Sequence, residues 1–200
     1  MSFKEMNLLI HFAKPVSIYD NYINRCTGRY CHCEVSIEMD AELLCVMIDS
    51  AISKAFAPAY LEKILKKIKS VKGKVHFCFY ILLNDYVDIR FFNDLGDDFY
   101  NPNPEVYDTI EMYVESMELV KEYVEWNLCQ LGRSYDLLRA ICLFLPFTLR
   151  TEIPTKFFCS QLVMHSLKEI GWTTKQDINH MKPDDVYDWL TIKVNNNAKK

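Results

Sequence analysis

The sequence predicts one α+β domain, with antiparallel strands leading and helices following, on three observations. Alternating or wholly apolar runs fill the first half, and a long helical period starts near Glu105. A compact box, Phe158-Cys159-Ser160-Gln161-Leu162-Val163, then opens a helix that stops at Gly171. The 200 residues, half of them hydrophobic, suffice for one well-packed core. No internal repeat and no linker divides them, so residues 1–190 are expected to form a single domain and 191–200 a disordered tail rich in Asn and Lys.

Composition narrows the class further. Seven prolines and five glycines are too few for a disordered or collagen-like chain. A net charge of −4 argues against a general nucleic-acid binder. Eight cysteines are present, yet several lie inside apolar runs, such as Cys45 in Leu-Leu-Cys-Val-Met and Cys78 in His-Phe-Cys-Phe-Tyr. They read as reduced core thiols. With no N-terminal run laid out like a signal peptide, and an apolar stretch at 140–147 too short for a bilayer, a cytoplasmic location is expected.

The elements follow in order. Phe3 to Ala13 fits a short helix or an extended lead-in ended by Pro15, and Thr27-Gly28 fits a turn. Cys33 to Met39 and Leu43 to Asp49 read as a β-hairpin turning at Asp40-Ala41-Glu42, with Ala51 to Ala57 as a third short strand. Pro58 to Val71 carries Leu61, Ile64, Leu65 and Ile68 at helical spacing, with Lys63, Lys66, Lys67 and Lys69 outside. Such a lysine face is ordinarily solvated; peripheral contact with an anionic membrane is the other reading. Lys74 to Leu83 and Tyr86 to Phe92 are strands joined at Asn84-Asp85. Asn93 to Pro104 is a loop whose Asp94, Asp97 and Asp98 lack calcium-loop spacing. Glu105 to Leu131 reads as one long helix stopped by Gly132, and Pro183 opens a last helix through Leu190. The apolar run Leu137 to Phe147 is core, or else the wall of an acyl-chain pocket.

Cys159 is the candidate nucleophile. A thiol in the first turn of a helix faces unpaired N–H groups and the positive end of the macrodipole, which favour thiolate and suit an oxyanion. It needs a base, and the base needs an orienting acid. Of the five histidines, His32 opens a strand in Tyr30-Cys31-His32-Cys33-Glu34-Val35 and is the preferred base; His76, in mid-strand, is the other candidate. Two acids compete to orient it. Glu34, two residues on, shares a strand face with His32. Asp49, across the expected hairpin, falls opposite His32 at the short cross-strand distance and is preferred.

The boxes around these residues occur in one order: Cys31-His32-Cys33-Glu34-Val35-Ser36-Ile37, Val46-Met47-Ile48-Asp49-Ser50-Ala51, Leu131-Gly132-Arg133-Ser134-Tyr135-Asp136, the Cys159 box, and Pro183-Asp184-Asp185. Over residues 15 to 190 that order resembles the circularly permuted NlpC-type, papain-like cysteine hydrolases, the YiiX-like branch related to the lecithin retinol acyltransferase group. The resemblance implies a permuted papain-like fold, an antiparallel sheet packed on helices that include the nucleophile helix. It implies Cys159 as nucleophile, His32 as base and the acid of the next strand, Asp49, as orienter. Tyr135 and Ser160 would lie at the substrate, a peptide-, amino-acid- or lipid-linked acyl group, without metal or cofactor. The implied chemistry is hydrolysis of an amide, ester or thioester, or acyl transfer. Two rivals stay open: a zinc-binding module built on Cys26, Cys31, His32, Cys33 and Cys45, and a catalytically silent scaffold of the same fold.

Overall fold

Alternation of apolar with polar residues, clearest over His32–Asp40, builds the sheet. In the computed structural model, which describes residues 6–15, 28–82, 85–92, 105–137, 140 and 156–197, β1 spans Met6–Ala13 and β2 His32–Asp40. Cys33, Val35, Ile37 and Met39 of β2 are buried on one face, beside Leu8, Ile10 and Phe12 of β1. The extended reading of the first segment therefore holds. Strands β3 (Lys74–Ile81), β4 (Val87–Phe92) and β5 (Tyr107–Val114) complete an antiparallel sheet in the order β4-β3-β2-β1-β5.

The expected hairpin after Asp40 does not form. Asp40 is instead the N-cap of helix α1, Ala41–Ala51, its carboxylate accepting the Glu42 N–H at 2.8 Å. Leu44, Met47, Ile48 and Ala51 are buried, a spacing of three and four that only a helix places on one face. Asp49 consequently lies on the exposed side of α1 and not on a strand beside β2. The third strand is also absent: Ile52–Lys54 make one 3-10 turn before helix α2, Pro58–Ile68, which has proline in its first turn. Lys63, Lys66, Lys67 and Lys69 are exposed as expected.

The long helix of Glu105 to Leu131 divides in two. β5 takes its first part, where Met112 and Val114 are buried and Glu111 and Tyr113 exposed, a two-residue period. Ser116 then caps helix α3, Met117–Gln130, accepting the Leu119 N–H at 3.2 Å. Gly132 turns the chain at φ 86°, where an added Cβ would stand 2.8 Å from the Cβ of Ala57. Short parallel strands β6 (Ser134–Tyr135) and β7 (Lys156–Phe157) lead to helix α4, Cys159–Glu169, and Gly171 ends that turn with φ 82°. The last helix, α5, runs from Pro183 to Asn197 and so extends through most of the expected tail.

Helices α1 and α3 pack on each other, α3 packs on α4, and α4 lies against β2 and β3 on the apolar face of the sheet. Each large apolar side chain buried there contributes roughly 1.5–3 kcal/mol of transfer free energy. Among the described residues no helix is long and apolar enough to cross a membrane. The described cysteines are all free thiols, with Cys78 fully buried. The expected loop at 93–104, Thr27, Asn84 and the apolar run beyond Leu137, except Ala140, lie outside the described residues.

Candidate active site

Packing of α4 on β2 brings Cys159 to His32, although 127 positions separate them in the chain. Cys159 is 6% exposed at the first turn of α4, and His32 is hydrogen-bonded to it. The other partner of the ring is Glu34, whose Oε2 lies 3.3 Å from Nε2 of His32. Both side chains point to the same side of β2, as their two-residue spacing requires. The three groups form a line: thiol, imidazole, carboxylate.

Their charges reinforce one another. Hydrogen bonding from the Cys33 thiol is the largest influence on Cys159 and holds its pKa well below the usual thiol range; burial opposes it, and the His32 hydrogen bond and charge add to it. Burial by itself would depress the His32 pKa. Hydrogen bonds to Cys159 and Glu34, with their negative charges, overcome that and raise it to about 10. Burial likewise pushes the Glu34 carboxyl up, and the His32 hydrogen bond, with the charges of His32, Arg90 and His11, brings it below the ordinary carboxylate value. The site therefore rests as thiolate, imidazolium and carboxylate, two anions bracketing one cation.

Glu34, and not the preferred Asp49, is the acid beside His32. It is 2% exposed and touches the ring, whereas Asp49 sits on the solvent side of α1. The remaining histidines have other partners. His11 bridges Thr109 Oγ1 at 2.9 Å and Ser36 Oγ at 2.7 Å, and His76 reaches the same Ser36 hydroxyl at 3.1 Å. His165 stacks on Trp126, and His180 pairs with Asp177 at 2.8 Å.

Tyr135 and Ser160 part company. Parallel pairing of β6 with β7 sets Tyr135 opposite Phe157, two residues before the thiol. The Asp136 N–H donates to Phe157 O at 2.7 Å, locking the pair. Burial chiefly, then the charges of Cys159, Cys33 and Asp136, push the Tyr135 phenol pKa far up, so it stays protonated beside the thiolate. Ser160 is fully buried and its hydroxyl donates to Met181 O at 2.7 Å. That bond fastens the start of α4 to the turn at Ile178–His180, and the expected substrate contact of Ser160 gives way to a structural one. Gln161 adds a second fastening, its Nε2 2.7 Å from Asn179 Oδ1.

Asp184 accounts for the Pro-Asp-Asp box. It accepts the backbone N–H groups of Arg29 at 2.8 Å and Tyr30 at 2.9 Å. A Cβ on Gly28 would come within 2.2 Å of its Oδ2, and Gly28 has φ 100°. The turn feeding His32 is therefore held by the first turn of α5. Arg90 and His11 reach Glu34 from other strands with no signal in the local pattern, whereas Cys33 lies inside the His32 box and meets Cys159 there rather than a metal.

Among the described residues no group of His, Cys, Asp and Glu has the arrangement of a metal site; Cys26 is not among them. No family model, no curated protein and no solved structure matches the chain. The molecule belongs, on its coordinates, to the α+β class with a five-stranded antiparallel sheet.

Proposed function

We propose that the chain is a cysteine-dependent hydrolase or acyltransferase that acts on an amide, ester or thioester bond through an acyl-enzyme on Cys159. One observation carries the reading: a helix-start thiol hydrogen-bonded to a histidine that is itself bonded to a buried carboxylate. The resemblance to permuted NlpC-type, papain-like hydrolases points the same way.

In this mechanism the Cys159 thiolate attacks the substrate carbonyl carbon, and the backbone N–H groups of the first turn of α4 stabilise the oxyanion. The protonated Tyr135 phenol is a further donor on that side. His32 gives its proton to the departing amine, alcohol or thiol, leaving a thioester. It then takes a proton from water, or from an acceptor nucleophile, which attacks that thioester and frees Cys159. Glu34 holds the ring in orientation and stabilises the imidazolium; it stays ionised. A peptide-, amino-acid- or lipid-linked acyl group is the substrate class, in the cytoplasm, and the lysine face of α2 offers peripheral contact with an anionic bilayer.

The test is chemical. Brief iodoacetamide treatment at pH 6 is expected to alkylate Cys159 ahead of every other thiol, and an acyl-phosphonate probe to label it at the same place. Uniform labelling of several cysteines, or protection of Cys159, refutes the reading.

A further inference from the structure

A second thiol stands inside the site. Cys33 lies on the core face of β2, between His32 and Glu34 in sequence but turned to the opposite side of the strand. It is 1% exposed, and its S–H group donates a hydrogen bond to the Cys159 sulfur, to which the Cys33 backbone N–H also donates. The strand and the helix carrying the two residues are packed directly together. Neither thiol is in a disulfide. The neighbouring Cys31 thiol turns to Ala13 O at 3.4 Å, and Cys78 occupies the polar face of the sheet, in register with Arg90 of β4.

We propose that Cys33 and Cys159 form an oxidative modification site, in which peroxide converts the nucleophile to a sulfenic acid and Cys33 resolves it to an intramolecular disulfide. A thiolate already held as such is the form that peroxide oxidises. The Cys159 sulfur attacks one peroxide oxygen, the O–O bond breaks, and the leaving hydroxide takes a proton to become water. The Cys33 sulfur then attacks the sulfenic sulfur, losing its proton and displacing the hydroxyl as a second water. Two thiols are oxidised and one peroxide is reduced to two waters, with no further reactant. The disulfide removes the nucleophile reversibly and bars its passage to sulfinic acid. Hydrogen bonding between the thiols selects Cys33 as the partner, since the attacking sulfur must already be in contact.

The inference rests on the thiolate reading of Cys159, although not on any acyl substrate. The full chain is treated with excess hydrogen peroxide at pH 7, capped with N-ethylmaleimide under denaturing conditions, digested and mapped by mass spectrometry. The expected product is the Cys33 peptide joined to the Cys159 peptide, two hydrogens lighter than their sum and released by dithiothreitol. Alkylation of Cys159 at pH 6 is lost with its formation and returns on reduction. In Cys33→Ala, Cys159 proceeds to sulfinic acid. Recovery of wild-type Cys159 as sulfinic acid with Cys33 capped, or a disulfide to Cys31, overturns the proposal. Untreated protein gives the separate readout: Cys159 that alkylates at pH 6 yet never links to Cys33 sinks this inference alone, whereas Cys159 inert before oxidation sinks the hydrolase reading.

Discussion

Replacing Glu34 by glutamine keeps the shape of the side chain and removes its charge, so it isolates what the carboxylate does for His32. The rise of the His32 pKa from 6.5 to about 10 corresponds to roughly 5 kcal/mol in favour of imidazolium, at about 1.36 kcal/mol per unit. Burial opposes that rise, and the hydrogen bonds and charges of Cys159 first and Glu34 second overcome it. A hydrogen bond to a charged group is worth about 1.5–3 kcal/mol, so Glu34→Gln should lower the His32 pKa by about one to two units. Loss of the same interaction in the transition state, with a ring free to turn, is expected to cut turnover about 100-fold. Asp49→Asn, on the solvent side of α1, should stay within about twofold of wild type. The His32 pKa is read by NMR titration of the ring, and turnover from hydrolysis of an activated thioester, with circular dichroism confirming the fold. An unchanged His32 titration in Glu34→Gln, together with a large loss in Asp49→Asn, would refute the assignment. The sign of the pH effect follows from the same shift. A raised imidazolium pKa stabilises the folded protein fully below about 6.5, and that contribution disappears as the pH climbs through about 10. Turnover should fall in the same alkaline window, and Glu34→Gln should move that limb down.

Three further outcomes are expected. Ser160→Ala leaves Met181 O without its buried donor and should cost about 1–3 kcal/mol in denaturant unfolding, with near-normal activity per folded molecule. Gly132→Ala meets both a positive φ and the Ala57 side chain and should lower the folding free energy by about 1–3 kcal/mol, seen as a depressed melting temperature. A chelator should leave the melting temperature unchanged; stoichiometric zinc that survives dialysis and is lost on Cys31→Ser or Cys33→Ser would put the zinc module ahead of the hydrolase.

The placement of Cys159 and His32 could be read from the chain because each marks an element boundary. A helix period beginning at one and an alternating strand beginning at the other are local patterns, visible without any fold. The amphipathic α2, the β3–β4 hairpin and the stop at Gly132 were readable for the same reason. Local pattern misled where an apolar run suits two periods. Leu43 to Asp49 satisfies a buried strand, yet Asp40 capping the next turn and the burial of Leu44, Met47, Ile48 and Ala51 make it a helix. That one difference carried Asp49 from the site to the surface. Tyr107 to Val114 failed in the opposite sense, a strand edge that joins β1 hidden in what passed for a helix.

What sequence by itself determined, then, was that Cys159 opens a helix and His32 a strand, and the order of the boxes, since those depend on residues close in the chain. Tertiary structure decided the rest. Glu34 is stabilised as an anion chiefly by His32 within its own strand and by Arg90 from β4, and no spacing rule brings those two together. Cys33 faces Cys159 only because α4 packs on the apolar side of β2. The ionisation of the site is a property of burial and of charges from separate elements, and it exists only after they have assembled.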